Sequence, residues 1–322
     1  MRIVDLAGIP AGLRPQLPAF DLCDGDPPRD DRFLRRLRRM GYPASDYWGV
    51  YAVEGDQLLA RVESLDLPFT GRAGTETVAG IANVVTRPRG LGRGLARALL
   101  REVHRRSEAG GARWSFLWTH RSWGAHRLYE SLGYRDVYSP PYAYGRIARA
   151  RPRGSNAGVR LGVGTARDDA VVGRILRAAA RGRFGFLRRP TSHARTRVRL
   201  GGRRWDRYRI LREGSRPVGY AYLADVHPES LTVTEVAVTA PEHRAAMIAG
   251  LSSLARGRWL AFQFTSFAAD AESELRAEGF LVERTSHTVL MARPLGTAAR
   301  RGEDLGALGR DPGFSSHRGD MF

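Results

Sequence analysis

The sequence predicts an α/β chain of the α+β type, built as two halves that each carry a mixed, mostly antiparallel sheet flanked by helices. Three observations lead there. The chain has 322 residues, 43% hydrophobic and 26% charged, which suits two ordinary globular domains and not a disordered chain. The first half reads as strands, a helix, a strand, a helix and strands again. That order returns weakly in the second half, at a spacing of domain length and too long for a solenoid repeat.

In the first half, runs rich in β-branched and aromatic residues, bounded by Gly, Asp and Pro, predict strands over 47–53, 58–67 and 77–85. Glu54-Gly55-Asp56 joins the first two as a hairpin. A helix is predicted from about Gly94 to Ala109, because Leu95, Leu99, Leu100 and Val103 fall on one face and arginines on the other. Gly110-Gly111 stops it. A strand over 114–119, a helix over 123–132 stopped by Gly133, and a strand or strand pair over 134–144 follow. The second half is read as strand 159–163, a helix from Asp168 or Asp169 through Ala180, strands 208–212, 218–223 and 231–238, helix 244–254, strand 259–264, helix 269–277, and strands after Gly279-Phe280. The expected division is a first domain over 1–148, a linker over 149–158 rich in Pro, Gly, Ser and Asn, a second domain over 159–294, and a mobile tail over 295–322.

The 52 basic residues are all arginine, and against 33 acids they leave a net charge of +19. Such a balance points to an acidic partner: nucleic acid, an anionic membrane face or a phosphate-bearing ligand. The excess is local, since Arg174 to Arg216 holds 15 arginines against Asp206 and Glu213. Phe184, Phe186, Trp205 and Tyr208 stand among them, a mixture suited to phosphate contact and base stacking as well as to a solvated basic face. Asparagine is scarce too, so codon bias is the main reading of the missing lysine. A single cysteine, Cys23, excludes an internal disulfide or a multi-cysteine metal site. The opening MRIVDLAGIP lacks a secretory apolar run, and no stretch has transmembrane length. A cytoplasmic protein with no membrane partner and no metal is expected; its oligomeric state is left open.

The chemistry-bearing segment is Val84-Val85-Thr86-Arg87-Pro88-Arg89-Gly90-Leu91-Gly92-Arg93-Gly94-Leu95-Ala96-Arg97, a strand entering a glycine-rich turn that opens a helix. Backbone N–H groups converge in such a turn and the helix N-terminus adds partial positive charge, so it suits phosphate. It has no Walker A ending, and no ribose-binding acid follows in a βαβ unit. Some forty residues on comes Ala125-His126-Arg127-Leu128-Tyr129-Glu130-Ser131-Leu132-Gly133-Tyr134.

Together, in this order and on these elements, the two segments resemble the GNAT superfamily of acyl-CoA-dependent N-acetyltransferases, closely over about 45–145. The resemblance implies a tandem GNAT fold, acetyl-CoA as cosubstrate, and transfer of its acetyl group to a primary amine, small-molecule or peptidyl. It implies that the backbone of Val84, Val85 and Thr86 pairs with the pantetheine arm, and that Gly92, Gly94, Leu95, Ala96 and the charges of Arg89, Arg93 and Arg97 serve the pyrophosphate. It implies that Tyr129, four residues before Gly133, protonates the departing thiolate. A phenol suits that role, and a packing role on the core face beside Leu128 and Leu132 is the alternative. In the preferred frame Leu91 stands where an arginine or glutamine is usual; a frame over Arg89–Gly94 restores the arginine but puts Arg97 at a core position. Ser122 stands where many relatives have asparagine. Glu76, Glu63, Asp66 and His120 are the candidates to deprotonate the amine. Aligning Pro241 with Pro88 and Gly279-Phe280 with Gly133-Tyr134 puts Met247 at the place of Gly94 and Leu275 at that of Tyr129. The second half therefore reads as a degenerate copy with neither phosphate loop nor proton donor. A nucleic-acid or ribosome-binding protein using 174–216 is the alternative function.

Overall fold

The two-residue turn Gly55-Asp56 closes a hairpin between β2 (Trp48–Glu54) and β3 (Gln57–Gly71), with Glu54 opposite Gln57. This computed structural model describes residues 1–23, 39, 48–71, 74–147, 158–185, 192–199, 202–263 and 265–296. The chain divides into two units, Met1–Val137 with the strand that begins at Val289, and Tyr138–Thr288.

In the first unit β1 (Arg2–Asp5) pairs with β2, and β3 pairs antiparallel with β4 (Gly74–Thr86). A turn over Ala11–Gln16 and α1 (Pro18–Cys23) cover one face of the sheet, where Leu13 and Phe20 pack with Tyr51, Val53, Leu58 and Val85. On the other face lies α2 (Leu95–Ala109), whose Leu95, Leu99, Leu100 and Val103 are all buried. Each such side chain contributes about 1.5–3 kcal/mol. The strand β5 (Trp114–His120), helix α3 (Gly124–Glu130) and strand β6 (Arg135–Tyr138) complete the local run.

The second unit begins with β7 (Tyr142–Arg146) and continues with β8 (Val159–Val163), α4 (Asp169–Ala179) and α5 (His193–Arg199). Strands β9 (Tyr208–Glu213), β10 (Arg216–Val226) and β11 (Ser230–Val238) form a meander, followed by α6 (Arg244–Leu254) and β12 (Trp259–Phe262). Helices α7 (Phe267–Asp270) and α8 (Glu272–Ala277), β13 (Leu281–Glu283) and β14 (Thr288–Pro294) end the described chain.

Among the described residues each sheet has seven strands, in the orders β1-β2-β3-β4-β5-β14-β6 and β8-β9-β10-β11-β12-β7-β13. Position by position the two orders match, so the duplication read from the sequence is present as a pair of mostly antiparallel sheets flanked by helices. One expectation needs correction: the units are not the unbroken segments 1–148 and 159–294. The sixth place in the first sheet is taken by β14, and the corresponding place in the second by β7. The strand pair expected over 134–144 is thus divided between the sheets. The cause is packing: Val289 and Met291 are buried with Leu99, Leu117 and Tyr134 in the first core, and Ala143 is buried with Leu260 and Phe262 in the second. Arg293 also donates to His104 Nδ1 (2.7 Å). The expected helix over 269–277 is two short helices broken at Ala271, and β1, α1 and α5 were not read from the sequence. The expected linker, except Gly158, and the expected tail beyond residue 296 lie outside the described residues.

Candidate functional site

The first unit is opened by its fourth strand. β4 pairs in parallel with β5 only over Val78–Gly80 against Trp114–Phe116, after which β4 runs on to Thr86 and β5 to His120 unpaired with each other. The β3–β4 register shifts between Arg61 and Glu63, and Asn83 in that shift has a left-handed φ of 48°. Such a bulge turns a strand out of its sheet and leaves backbone groups free on the far side. Val84 and Thr86, half-buried, line this stretch; Val85 points into the core with Phe20 and Leu58.

At the end of β4 the chain is tied down. Arg87 N–H donates to Leu59 O (2.9 Å), and the Arg87 guanidinium donates to Gln16 Oε1 (2.9 Å) and Leu58 O (3.2 Å). After a tight turn over Pro88–Gly90 come Leu91, 63% exposed, and Gly92 and Gly94, with φ of 72° and 73°. A Cβ at Gly92 or Gly94 would meet nothing within 4 Å, so open space faces the loop there. Gly94 is the N-cap of α2, with no side-chain cap and no acid in the first turn. Ala98 N–H makes the first bond, to Gly94 O (3.0 Å). The N–H groups of Leu95, Ala96 and Arg97 therefore have no helical acceptor. The Leu95 side chain is buried in the core, so only its backbone is available to the loop. Arg93 donates to both carboxylate oxygens of Glu54 (2.8 and 2.9 Å) and holds that carboxyl below its usual range. Arg89, exposed, and Arg97, half-buried, make no ion pair among the described residues.

Tyr129 lies on α3 with its side chain 7% exposed, in the core cluster of Leu99, Leu132 and Tyr134 and edge-on to the Tyr134 ring (centroids 5.9 Å). Ser122, between β5 and α3, shares a hydrogen bond with His120 Nδ1 (2.7 Å), and the His120 ring stacks on exposed Trp123. Among the other candidate bases, Glu76 accepts from Arg113 (3.1 Å) and from Trp114 Nε1 (3.2 Å). Glu63 is bonded to Asn83 and lies 3.4 Å from Arg61, itself paired with buried Asp21 (2.7 Å). Asp66 is exposed. Three residues that shape the loop were missed from the sequence: Gln16, Glu54 and Gly90, where a Cβ would stand 2.9 Å from Leu95 Cδ1. Gly90 was visible as a third loop glycine, but Gln16 and Glu54 are brought in only by folding.

In the second unit the same places are filled differently. Pro241–His243 forms the corresponding turn, but α6 starts at once at Arg244, so nothing stands for residues 91–94, and Met247 is buried inside the helix. Leu275, fully buried, does take the place of Tyr129: Tyr134 N–H donates to Tyr129 O (3.2 Å) as Phe280 N–H donates to Leu275 O (3.0 Å). Beside β11 the buried Arg203 and Glu235 pair at 2.5 Å, with the hydroxyls of Tyr208 and Tyr220 bonded to the pair.

Comparison with known proteins agrees with this geometry. A family model described as an acetyltransferase (GNAT) domain matches residues 19–137. No curated protein sequence matches the chain. Among solved structures, a GCN5-related N-acetyltransferase from Anabaena variabilis ATCC 29413 aligns with a TM-score of 0.67 at 14% identity, over 92% of this chain and 74% of that one. One from Kribbella flavida aligns at 0.60 and 21% identity, over 91% and 70%. A tandem GNAT protein from the clavulanic acid biosynthesis pathway aligns at 0.53 and 15% identity, over 92% and 98%. At such identities the likeness establishes the fold. The chain thus has a tandem GNAT fold, and its residues 19–137, within the first unit, match the acetyltransferase (GNAT) domain family.

Proposed function

We propose that the first unit is an acetyl-CoA-dependent N-acetyltransferase acting on a primary amine, with one working site per chain. The observation that carries this reading is the junction of two features in one unit: strands β4 and β5 that part, and an uncapped helix N-terminus behind a glycine loop at the end of β4. Phosphate groups fit the open side of Gly92 and Gly94 and the free N–H groups of Leu95, Ala96 and Arg97. Arg89 and Arg97 add charge, and Arg93 does so to the extent that it leaves Glu54. The pantetheine arm pairs with the backbone of β4 from Val84 to Thr86, and Ser122 supports it with one hydroxyl. The amine nitrogen attacks the thioester carbonyl, the C–N bond forms, and the C–S bond breaks with its electron pair on sulfur. Tyr129 gives its hydroxyl proton to that thiolate, and the proton lost by the amine restores the phenol through water. Such acid catalysis is worth about 10²–10⁴ in rate.

Among the described residues the second unit has no glycine loop before α6 and has Leu275 where the first has Tyr129, which supports a single site. Of the aromatics that the nucleic-acid reading uses, Phe184 is 8% exposed and Tyr208 fully buried, Trp205 is half-buried, and Phe186 lies outside the described residues, so two of the four are withdrawn from stacking. Calorimetry with acetyl-CoA tests the proposal: wild type binds one equivalent, and Gly94→Glu, which sets a carboxylate and a strained residue in the cradle, does not. A mass-spectrometric screen of amine pools then identifies acceptors acetylated by wild type. Failure of wild type to bind acetyl-CoA overturns the reading.

A further inference from the structure

Ten of the fifteen arginines from Arg174 to Arg216 fall into two groups. Arg183 pairs with Asp270, Arg195 with Asp169, Arg203 with Glu235, Arg204 with Asp206 and Arg212 with Asp168. Arg209 donates to two backbone carbonyls. These cations hold the second unit together. Arg174, Arg181 and Arg216, by contrast, are exposed and form no ion pair among the described residues, and all three line one cavity of about 350 Å³ together with Arg177. No carboxylate lines that cavity among the described residues.

Its lining is otherwise apolar: Val171, Ile175 and Ala178 of α4 and Pro217 of β10. Thr239 also lines it, and its hydroxyl is buried with no hydrogen-bond partner. Arg174, Arg177 and Arg181 lie three and four residues apart along the last turns of α4 and just past its end. Like charges at that spacing repel. The C-terminal end of a helix tolerates cations, but it does not neutralise Arg174, Arg181 and Arg216 around one cavity, the last of them from another element. An anion of several charges would, and guanidinium forks are matched in geometry to phosphate oxygens. The apolar floor and the limited volume ask for a compact apolar or aromatic body attached to those charges, and the burial of Phe184 and Tyr208 argues against a polynucleotide strand.

We propose that the cavity between α4 and the start of β10 is a binding site for a small polyphosphorylated ligand with an aromatic body, in the class of nucleoside polyphosphates. The phosphates lie among Arg174, Arg177, Arg181 and Arg216, and the aromatic body rests on Ile175 and Pro217 within reach of the Thr239 hydroxyl. This site is separate from the glycine loop of the first unit and does not depend on the acetyltransferase reading.

Isothermal titration of the full chain at low salt tests it, with ATP, inorganic tripolyphosphate and a single-stranded RNA oligonucleotide as probes. Gly94→Glu serves as a background in which the glycine loop is blocked. ATP is expected to bind one equivalent in that background. Binding weakens at least about tenfold in Arg174→Ala/Arg181→Ala and also in Arg216→Ala, which keeps the test intact should the double variant fail to fold. Tripolyphosphate is expected to bind more weakly than ATP, and RNA more weakly still. The proposal is overturned by an absence of ATP binding, by an affinity unchanged in the arginine variants, by tripolyphosphate binding as tightly as ATP, or by RNA binding more tightly than either.

Discussion

Tyr129→Phe removes one oxygen and leaves the ring. The ring stays buried against Leu132 and Tyr134, so the packing that α3 contributes is retained. What folding loses is the hydrogen bonding of one hydroxyl, about 0.5–1.5 kcal/mol. What the reaction loses, if the phenol is the proton donor, is about 10²–10⁴ in rate, or about 2.7–5.4 kcal/mol at about 1.36 kcal/mol per tenfold. The two effects differ enough in size to be separated. With an acceptor from the amine screen, thiol release is followed under saturating acetyl-CoA, acetyl-CoA affinity is measured by calorimetry, and stability by thermal denaturation. The expected pattern is a large fall in kcat, acetyl-CoA affinity within about twofold of wild type, because the proposal gives the phosphate contacts to the loop and not to α3, and a small drop in Tm. An unchanged kcat refutes the assignment of Tyr129 as acid. A fall in kcat matched by an equal loss of acetyl-CoA affinity refutes it as well, since the residue would then be acting through binding.

Glu54→Gln releases Arg93 from its exposed carboxylate partner, and acetyl-CoA affinity is expected to rise about two- to fivefold, read by calorimetry; a fall would show that the pair orders the loop. In the second unit, burial opposes the Arg203 charge, but Glu235 and Tyr208 outweigh it and hold the guanidinium more firmly protonated than usual. Glu235→Gln leaves that charge uncompensated and is expected to cost about 3–5 kcal/mol in denaturant unfolding, while Arg203→Met/Glu235→Leu recovers most of the loss. His104 responds to pH. Arg293 can only donate, so Nδ1 is the acceptor and Nε2–H donates to Tyr134 Oη (2.7 Å), whose hydroxyl bonds Ser115 (2.6 Å). Burial, and then Arg293, lower its pKa from 6.5 to about 3. The unfolded chain therefore takes up a proton that the folded one refuses, and stability is full above pH 6.5 and declines as pH falls towards 3, by up to about 5 kcal/mol at about 1.36 kcal/mol per unit. In His104→Gln, denaturation curves should show a shallower decline across that range, from a lower starting stability.

The sequence by itself determined the features of the first unit's glycine loop and of helices α2 and α3, because these depend on neighbours along the chain. The leucine spacing of α2, the glycines that turn the backbone before it, and the Tyr129-to-Gly133 interval are local patterns, and the structure reproduces each with boundaries shifted by a residue or so. Leu275 at the place of Tyr129 was legible for the same reason, since one helix stop, with a glycine at φ of 88° or 84°, follows both residues. Tertiary structure alone decided which sheet receives which strand. β7 and β14 are short strands that could take the sixth place of either sheet by pattern, and the choice rests on where Val289, Met291 and Ala143 find a core to fill. It likewise sorted the arginines. Glu54 reaches Arg93 across 39 residues and Glu235 reaches Arg203 across 32. A run of charge in the sequence carries no record of such partners, because the pairing is made by folding and not by spacing. The basic segment from Arg174 to Arg216 thereby contains both arginines that brace the fold and a small group at the C-terminal end of α4 and the start of β10 that the fold leaves facing a cavity.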